Sequence, residues 1–564
     1  MNAEEVSNLR SLRRIALAVL CLSLVVAAMV PVYTDEIGWR LQMRAAIDGV
    51  DIMFNDLCGP TSMAAPAWFM WPARWFSASA NMALANPGFV RAAGVACAGL
   101  WFGLLYLISG RVQRDPERRA ASQVMAFSLA GLGLLPFVMV MSRPEQPVLL
   151  AITAIILIAL TPLPAASARV WTWAKVAAIL LLTAIAVSYH MKGVLYSVVA
   201  MTWLAVCASG RGTVVPRVTG GLAMLALVGS AAAYWVGRFR CPGDATFAAQ
   251  LARENIAAVA AAGGSPGDLL LKALAGANPL NYVALAIPSR TPMSNWIPAG
   301  MFPGSVTSIV GLFVLAGWLT ALVLLALALV RHFKAGGWRG LGEPRVLISG
   351  AIVACVMVWG ASQLIKNVYE AAHTLPMLLL ACVLAWSLPA NKASSPLMRR
   401  LPLVFVTGLV IGQSLVVGAS AGPLLHAART PAYPLGQPFS VSVSGYDDVR
   451  RDIARAMQAS GMPAGRPLKR LLVDDLTYLA LQDHKLPLHR LGVLSVWTGS
   501  ITDPVAYLRS RGSDGVVIGC EYLPQEMRAA ASRSGEICAI SRDGLDRIER
   551  YRAADAPGES GDAA

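Results

Sequence analysis

Apolar runs long enough to cross a bilayer dominate the chain, and they leave few alternatives for its fold. A spanning helix needs about 20 mostly apolar residues, and in lipid its backbone N–H and C=O groups must be satisfied within the segment. Runs of that kind occupy 15–33, 89–110, 122–141, 147–163, 170–188, 193–209, 217–236, 305–331, 346–365, 373–389 and 401–423. Composition agrees: 56% of the 564 residues are hydrophobic and 14% are charged, against roughly 25% charged in soluble domains. The expected fold class is a polytopic α-helical membrane protein with about eleven transmembrane helices. Arg10, Arg13 and Arg14 precede the first run as in a signal peptide, but no convincing small-residue cleavage site follows, so it reads as a retained helix.

Sidedness follows from where Lys and Arg fall in the short loops. Loops on the side of the N-terminus hold Arg111, Arg114, Arg118 and Arg119, then Arg169, then Arg211 and Arg217. Farther along, the same side holds Arg331, Lys334, Arg339 and Arg345, then Lys392, Arg399 and Arg400. The three short loops opposite carry one cation each, Arg143, Lys192 and Lys366. The expected topology is multi-pass in a cell inner membrane, with a cytoplasmic N-terminus and everything after 424 on the periplasmic side. The net charge of +15 is distributed as an orientation signal, not as a nucleic-acid surface, so no nucleic-acid partner is expected.

Residues 1–423 read as the transmembrane domain, with two long outer loops near 34–88 and 237–304. Loops of that length usually carry function or are disordered; these read as ordered, and aromatic-proline stretches such as Pro66–Pro72 suit the membrane surface. Residues 424–555 are more charged and alternate expected helices (446–460, 503–510, 524–532) with expected strands (468–474, 515–520, 536–540), indicating a small α/β domain. Residues 556–564 read as a disordered tail. Cys21, Cys97, Cys207, Cys355 and Cys382 fall within apolar runs and read as packing residues. The other four cysteines fall outside, where disulfides persist in an oxidising compartment. Cys520 with Cys538, at the ends of two expected strands, is the first-choice pair, which leaves Cys58 with Cys241; four unpaired thiols is the alternative.

Candidate chemistry gathers on the outer face. Asp35 and Glu36 follow the first run directly, and Trp39 and Arg40 begin a helix that would cover them. A partly buried carboxylate at a lipid-water boundary is poised for base work; the plain alternative is a pair of solvated loop charges. The second outer loop, Ser142-Arg143-Pro144-Glu145-Gln146-Pro147, brings a cation and another carboxylate to the same face. Arg143, Lys192 and Lys366 run against the orientation signal. Each either snorkels to headgroups or converges with the others on one anionic ligand. His190 and His373, at outer helix ends, are ligands, proton carriers or polar interface residues. No spacing resembles a closed zinc site.

Together these features resemble the GT-C glycosyltransferases, integral membrane enzymes that use polyprenyl-phosphate-linked sugars. The protein O-mannosyltransferases and lipid A aminoarabinose transferases are the nearest likenesses. The resemblance rests on Thr34-Asp35-Glu36 after the first helix, Arg143-Pro144-Glu145 at the third, and Lys192-Gly193 after the fifth. In the late outer loop, Lys366, Tyr369 and Pro376 complete it. It covers residues 1–423 in order and topology. The chain departs from the pattern at Glu370-Ala371-Ala372-His373, and it lacks the Trp-Trp-Asp string of the oligosaccharyltransferase branch.

The resemblance implies a sugar donor carried on polyprenyl phosphate, a lipid or glycan acceptor, and contact with membrane lipids. Asp35, with Glu36 beside it, takes the catalytic position as the base of a single inverting displacement. Arg143, Lys192, Lys366 and Tyr369 bind the donor phosphate; Glu145, His190 and His373 orient the acceptor or a metal, and Glu36 also suits that role. A divalent cation is left open. Two other classes remain: a transporter or flippase of lipid-linked glycans, which would show repeats and polar midplane sites, and an envelope-assembly scaffold working through its outer domain.

Overall fold

The computed structural model describes residues 3–30, 32–33, 36, 87–143, 145–162, 168–206, 214–239, 265–288, 302–340, 342–363, 370–388, 396–429, 440–441, 446–462, 468, 471–474, 477, 480–481, 488–490, 504–510, 512–523 and 525–555. Asp35, Lys366, Tyr369, Cys58, Cys241, the stretch 66–72 and the tail 556–564 lie outside the described residues.

Each apolar run of the sequence is mostly helix over its described residues. Among the described residues, seven helices are long and apolar enough to span a membrane: α1 (Ala3–Ala28), α2 (Pro87–Val112), α6 (Ala168–Tyr189), α8 (Val214–Phe239), α11 (Gly304–Gly340), α12 (Pro344–Gln363) and α14 (Pro396–Arg429). Three shorter apolar helices join them: α5 (Glu145–Leu160), α7 (Lys192–Val206) and α13 (Ala371–Trp386). The third run forms two helices rather than one, α3 (Pro116–Ala130) and α4 (Leu135–Met139). Asp115 starts α3 by accepting from the Glu117 amide, with Pro116 in the first turn.

The interruption between α3 and α4 has an identifiable cause. Gly133 takes φ +69°, and a Cβ there would lie 2.5 Å from the Ala286 carbonyl oxygen, so only glycine suits the position. That carbonyl belongs to the segment following two short helices, α9 (Pro266–Gly276) and α10 (Leu280–Leu285). It accepts from the Leu134 amide at 2.9 Å. Tyr282, Val283 and Ala286 are fully buried. Two irregular stretches of backbone thus satisfy each other inside protein, where lipid offers no partner.

Beyond α14, helix α15 (Tyr446–Ala459) leads into a five-stranded sheet of order β4-β3-β5-β7-β6. Strand β3 (Leu471–Val473) pairs in parallel with β4 (Leu488–Arg490) and β5 (Gly515–Gly519). Strand β7 (Ile537–Ser541) runs antiparallel to β5 and to β6 (Ser532–Ser534). Helices α16 (Pro504–Ser510) and α17 (Arg542–Asp555) complete the unit. Alternate residues face opposite sides, as strand geometry dictates. Leu471, Val473, Val517, Ile537 and Ala539 pack with α15, while Leu472, Val516, Ile518 and Ile540 pack with α16 and α17. The helix expected over 524–532 is a single turn, Gln525–Arg528. Gly535, at φ +55°, closes a hairpin that draws Ser532–Ser534 into the sheet. Cys520 and Cys538 are joined by a disulfide.

The sheet unit grips the helix bundle. β1 (Val32–Tyr33), just past α1, pairs antiparallel with β2 (Ser440–Val441), Val32 opposite Val441. Val32 and Val90 are both fully buried in the same apolar cluster as Val449, Ile453 and Val473. The unit therefore sits over the end of the bundle where α1 finishes and α2 begins.

Candidate active site

At that end, three loop-helix junctions converge. Glu145 opens α5, Lys192 opens α7, and Glu370 immediately precedes α13. A carboxylate at a helix N-terminus is favoured by the backbone dipole, whereas Lys192 sits at the wrong end of its helix. Two carboxylates offset that placement: Lys192 Nζ lies 3.1 Å from Glu145 Oε1 and 3.2 Å from the Glu370 carboxylate. The ammonium also lies 5.2 Å from the Trp359 ring centroid, in cation–π range. Lys192 is 3% exposed and Glu145 4%.

Each carboxylate has further partners. Arg143 forks onto Glu145, with Nε 3.1 Å from Oε2 and Nη2 3.2 Å from Oε1, the bidentate geometry that makes such pairs strong. Trp359 Nε1 donates to Glu370 Oε2 at 2.7 Å, and His373 Nε2 stands 3.5 Å from the same oxygen. His190 caps α7: its Nδ1 accepts from the Lys192 amide at 3.1 Å, which leaves Nε2 facing Glu145 Oε1 at 3.9 Å. Beneath the charges, the His373 ring meets Tyr196 and Trp359 edge to face. The four permanent charges, two of each sign, cancel.

Glycine 193 explains why a small residue follows this lysine: a Cβ would lie 2.2 Å from the Ala186 carbonyl oxygen. The tight α6–α7 junction is what projects Lys192 into the cluster. Gln146 and Arg91 cap the end of α4, donating to the Met139 and Val140 carbonyls, two of the acceptors that a helix end leaves unmet.

Glu36 occupies a second, adjoining site. It is fully buried; Oε2 accepts from Arg91 Nη2 at 3.0 Å and Oε1 from the Ser142 amide at 2.7 Å. Its carboxylate ties the segment after α1 to the start of α2 and to the loop carrying Arg143. Among the described residues no group of three or more His, Cys, Asp and Glu side chains is placed to hold a metal ion. A small, mostly apolar cavity of about 10 Å³, room for roughly one water, is lined by Cys97, Trp101, Met139, Gln146, Leu149 and Ala372.

Of the sequence candidates, the structure brings Arg143, Glu145, Lys192, His190 and His373 together and puts Glu36 next door. Sequence reasoning gave no role to Glu370, Trp359 or Arg91. Arg91 had a usable signal: it is a cation just inside the apolar run 89–110, where a charge is costly unless it has a partner.

Fold and site define a multi-pass membrane protein with a buried, charge-balanced cluster at one end of its bundle, under an α/β unit. No family model matches the chain, and neither does any curated protein. Solved structures do. The chain is similar to ArnT from Cupriavidus metallidurans bound to undecaprenyl phosphate, at 14% identity and TM-score 0.46 over 94% of this chain and 98% of that one. The apo state of the same protein gives 13% and 0.46. The archaeal oligosaccharyltransferase AglB from Archaeoglobus fulgidus, in complex with an inhibitory peptide and a dolichol-phosphate, gives 11% identity and TM-score 0.43. That match covers 95% of this chain and 72% of AglB.

Proposed function

We infer that this protein is a membrane glycosyltransferase. It moves a sugar from a polyprenyl-phosphate carrier to an acceptor hydroxyl at the periplasmic face of the inner membrane. One observation carries the reading: Arg143, Glu145, Lys192 and Glu370, from three separate loop-helix junctions, meet in one buried cluster. Fixed cations held by carboxylates can exchange those carboxylates for phosphate oxygens.

In the proposed reaction Asp35 accepts the proton of the acceptor hydroxyl. The acceptor oxygen bonds to the anomeric carbon as the bond from that carbon to the phosphate oxygen breaks. The departing phosphate keeps the electron pair, so the product is inverted at that carbon. Inverting glycosidases apply the same carboxylate-base logic to water. Lys192 and Arg143, with Lys366 and Tyr369, stabilise the charge that develops on the phosphate, the kind of fixed electrostatic complementarity that lowers such barriers most. Glu145 and Glu370 keep Arg143 and Lys192 in place between turnovers.

The test is glycosyl transfer in detergent from extracted polyprenyl-phosphate sugars, supplied one donor at a time. Asp35→Asn is expected to abolish transfer from the donor that wild type accepts. Near-normal turnover of this variant would sink the base assignment.

A further inference from the structure

The α/β unit contacts the bundle through residues that adjoin the charged cluster in sequence and in space. Val90 and Arg91 are neighbours at the start of α2. Val90 is buried in the α/β unit's apolar cluster, and Arg91 bonds Glu36 and the Val140 carbonyl. Val32 is buried in the same apolar cluster and pairs with Val441, while Glu36, four residues on, accepts from the Ser142 amide. Ser142 directly precedes Arg143, whose guanidinium holds Glu145. A continuous run of packed and bonded groups thus connects the core of the α/β unit to the loop that carries Arg143 and Glu145. Only residues 34 and 35 separate its strand anchor from its ionic anchor.

We propose that the C-terminal α/β unit is a positioning element of the site, acting through Val32, Val90 and the Arg91–Glu36–Ser142 latch. It holds the segment after α1 and the 142–145 loop in register with each other. Arg91 and Glu36 are accordingly positioning residues rather than catalytic ones. Both of Glu36's carboxylate oxygens are engaged by the latch, which gives this acidic residue a role unlike that of its neighbour Asp35. The kinetic consequence of this latch rests on the glycosyltransferase reading; the structural one does not.

The test uses the full-length protein and two readouts. Val90→Asp places a carboxylate in the apolar contact without touching the charged cluster. Hydrogen exchange of the peptide containing Ser142 should accelerate at least tenfold, because the amide that Glu36 holds is released. Turnover should fall at least tenfold and the donor KM should rise, because the loop that is released carries Arg143.

A second variant combines Val90→Asp with Val32→Cys and Val441→Cys, which face each other across the β1–β2 pair and suit a disulfide. Oxidation should restore slow exchange and turnover, and mild reduction should abolish both again; that reversibility excludes a simple folding defect. Unchanged exchange in Val90→Asp overturns the proposal whether or not the protein transfers sugar. Accelerated exchange with no transfer by wild type would instead retain the latch and reject the glycosyltransferase reading.

Discussion

Lys192→Met tests how tightly the charge cluster is balanced. The substitution keeps most of the side chain's length and deletes its charge. Two carboxylates that contacted one ammonium at 3.1 and 3.2 Å are then left facing each other, their nearest oxygens no more than about 6 Å apart. At an effective dielectric of about 20, two unit charges at that distance repel by roughly 2–3 kcal/mol. Removing one member of a buried ionic set typically costs 3–5 kcal/mol. Glu145 keeps Arg143 and Glu370 keeps Trp359, so about 3 kcal/mol is expected.

Lys192→Met with Glu370→Gln should recover about 2 kcal/mol of that loss, since the repulsion disappears. The assay is reversible unfolding in mixed micelles, run as a double-mutant cycle across the four proteins. In the transfer assay Lys192→Met should lower kcat by about 10²–10³, the usual cost of a lost charge-stabilising donor. A stability loss under about 1 kcal/mol with a coupling energy under about 0.5 kcal/mol would refute the reasoning, because the ammonium would then not be desolvated between the carboxylates.

Three further outcomes are expected. Glu36→Gln should destabilise the protein by about 3 kcal/mol by leaving Arg91 buried without its charge partner, and Glu36→Gln with Arg91→Met should be the more stable of the two, measured by the same unfolding. Gly94→Ala should cost at least 2 kcal/mol, since its Cβ would lie 1.8 Å from the Val140 carbonyl oxygen, whereas Gly103→Ala, with nothing within 4 Å, should be neutral or stabilising by up to about 1 kcal/mol. A membrane-impermeant thiol reagent should label a cysteine placed at exposed Tyr551 in intact spheroplasts and should not label one placed at Arg10; the reverse pattern would overturn the orientation.

The spans were legible because lipid imposes one rule on every residue of a run, so hydropathy alone locates them. The break at 131–134 was not, although Gly133 and Pro136 sit in the run. Its partner, the Ala286 carbonyl, lies far away in sequence, and a hydropathy window cannot see a backbone hydrogen bond. The cluster was partly legible for a different reason. Arg143 and Lys192 contradict the charge bias of their side of the membrane, and a residue that resists a physical trend has usually been retained for something else. Glu370 resists no trend, being an acid at a helix start. Only the position of Lys192 Nζ reveals what it does. Glu36 and Asp35 look equivalent in sequence, yet burial assigns Glu36 to Arg91 and Ser142.

The bond between Leu134 and Ala286 also sets a schedule for biogenesis. About 150 residues of chain separate donor from acceptor, and a ribosome adding 5–20 residues per second needs roughly 8–30 s to make them. During that interval the third span is inserted with its own break unsatisfied, in a solvent that penalises unpaired amides. The half-made protein must borrow a partner, from the insertion machinery or from water drawn into the bilayer, until α10 arrives. A truncation that ends before residue 280 would leave the Leu134 amide without the Ala286 carbonyl.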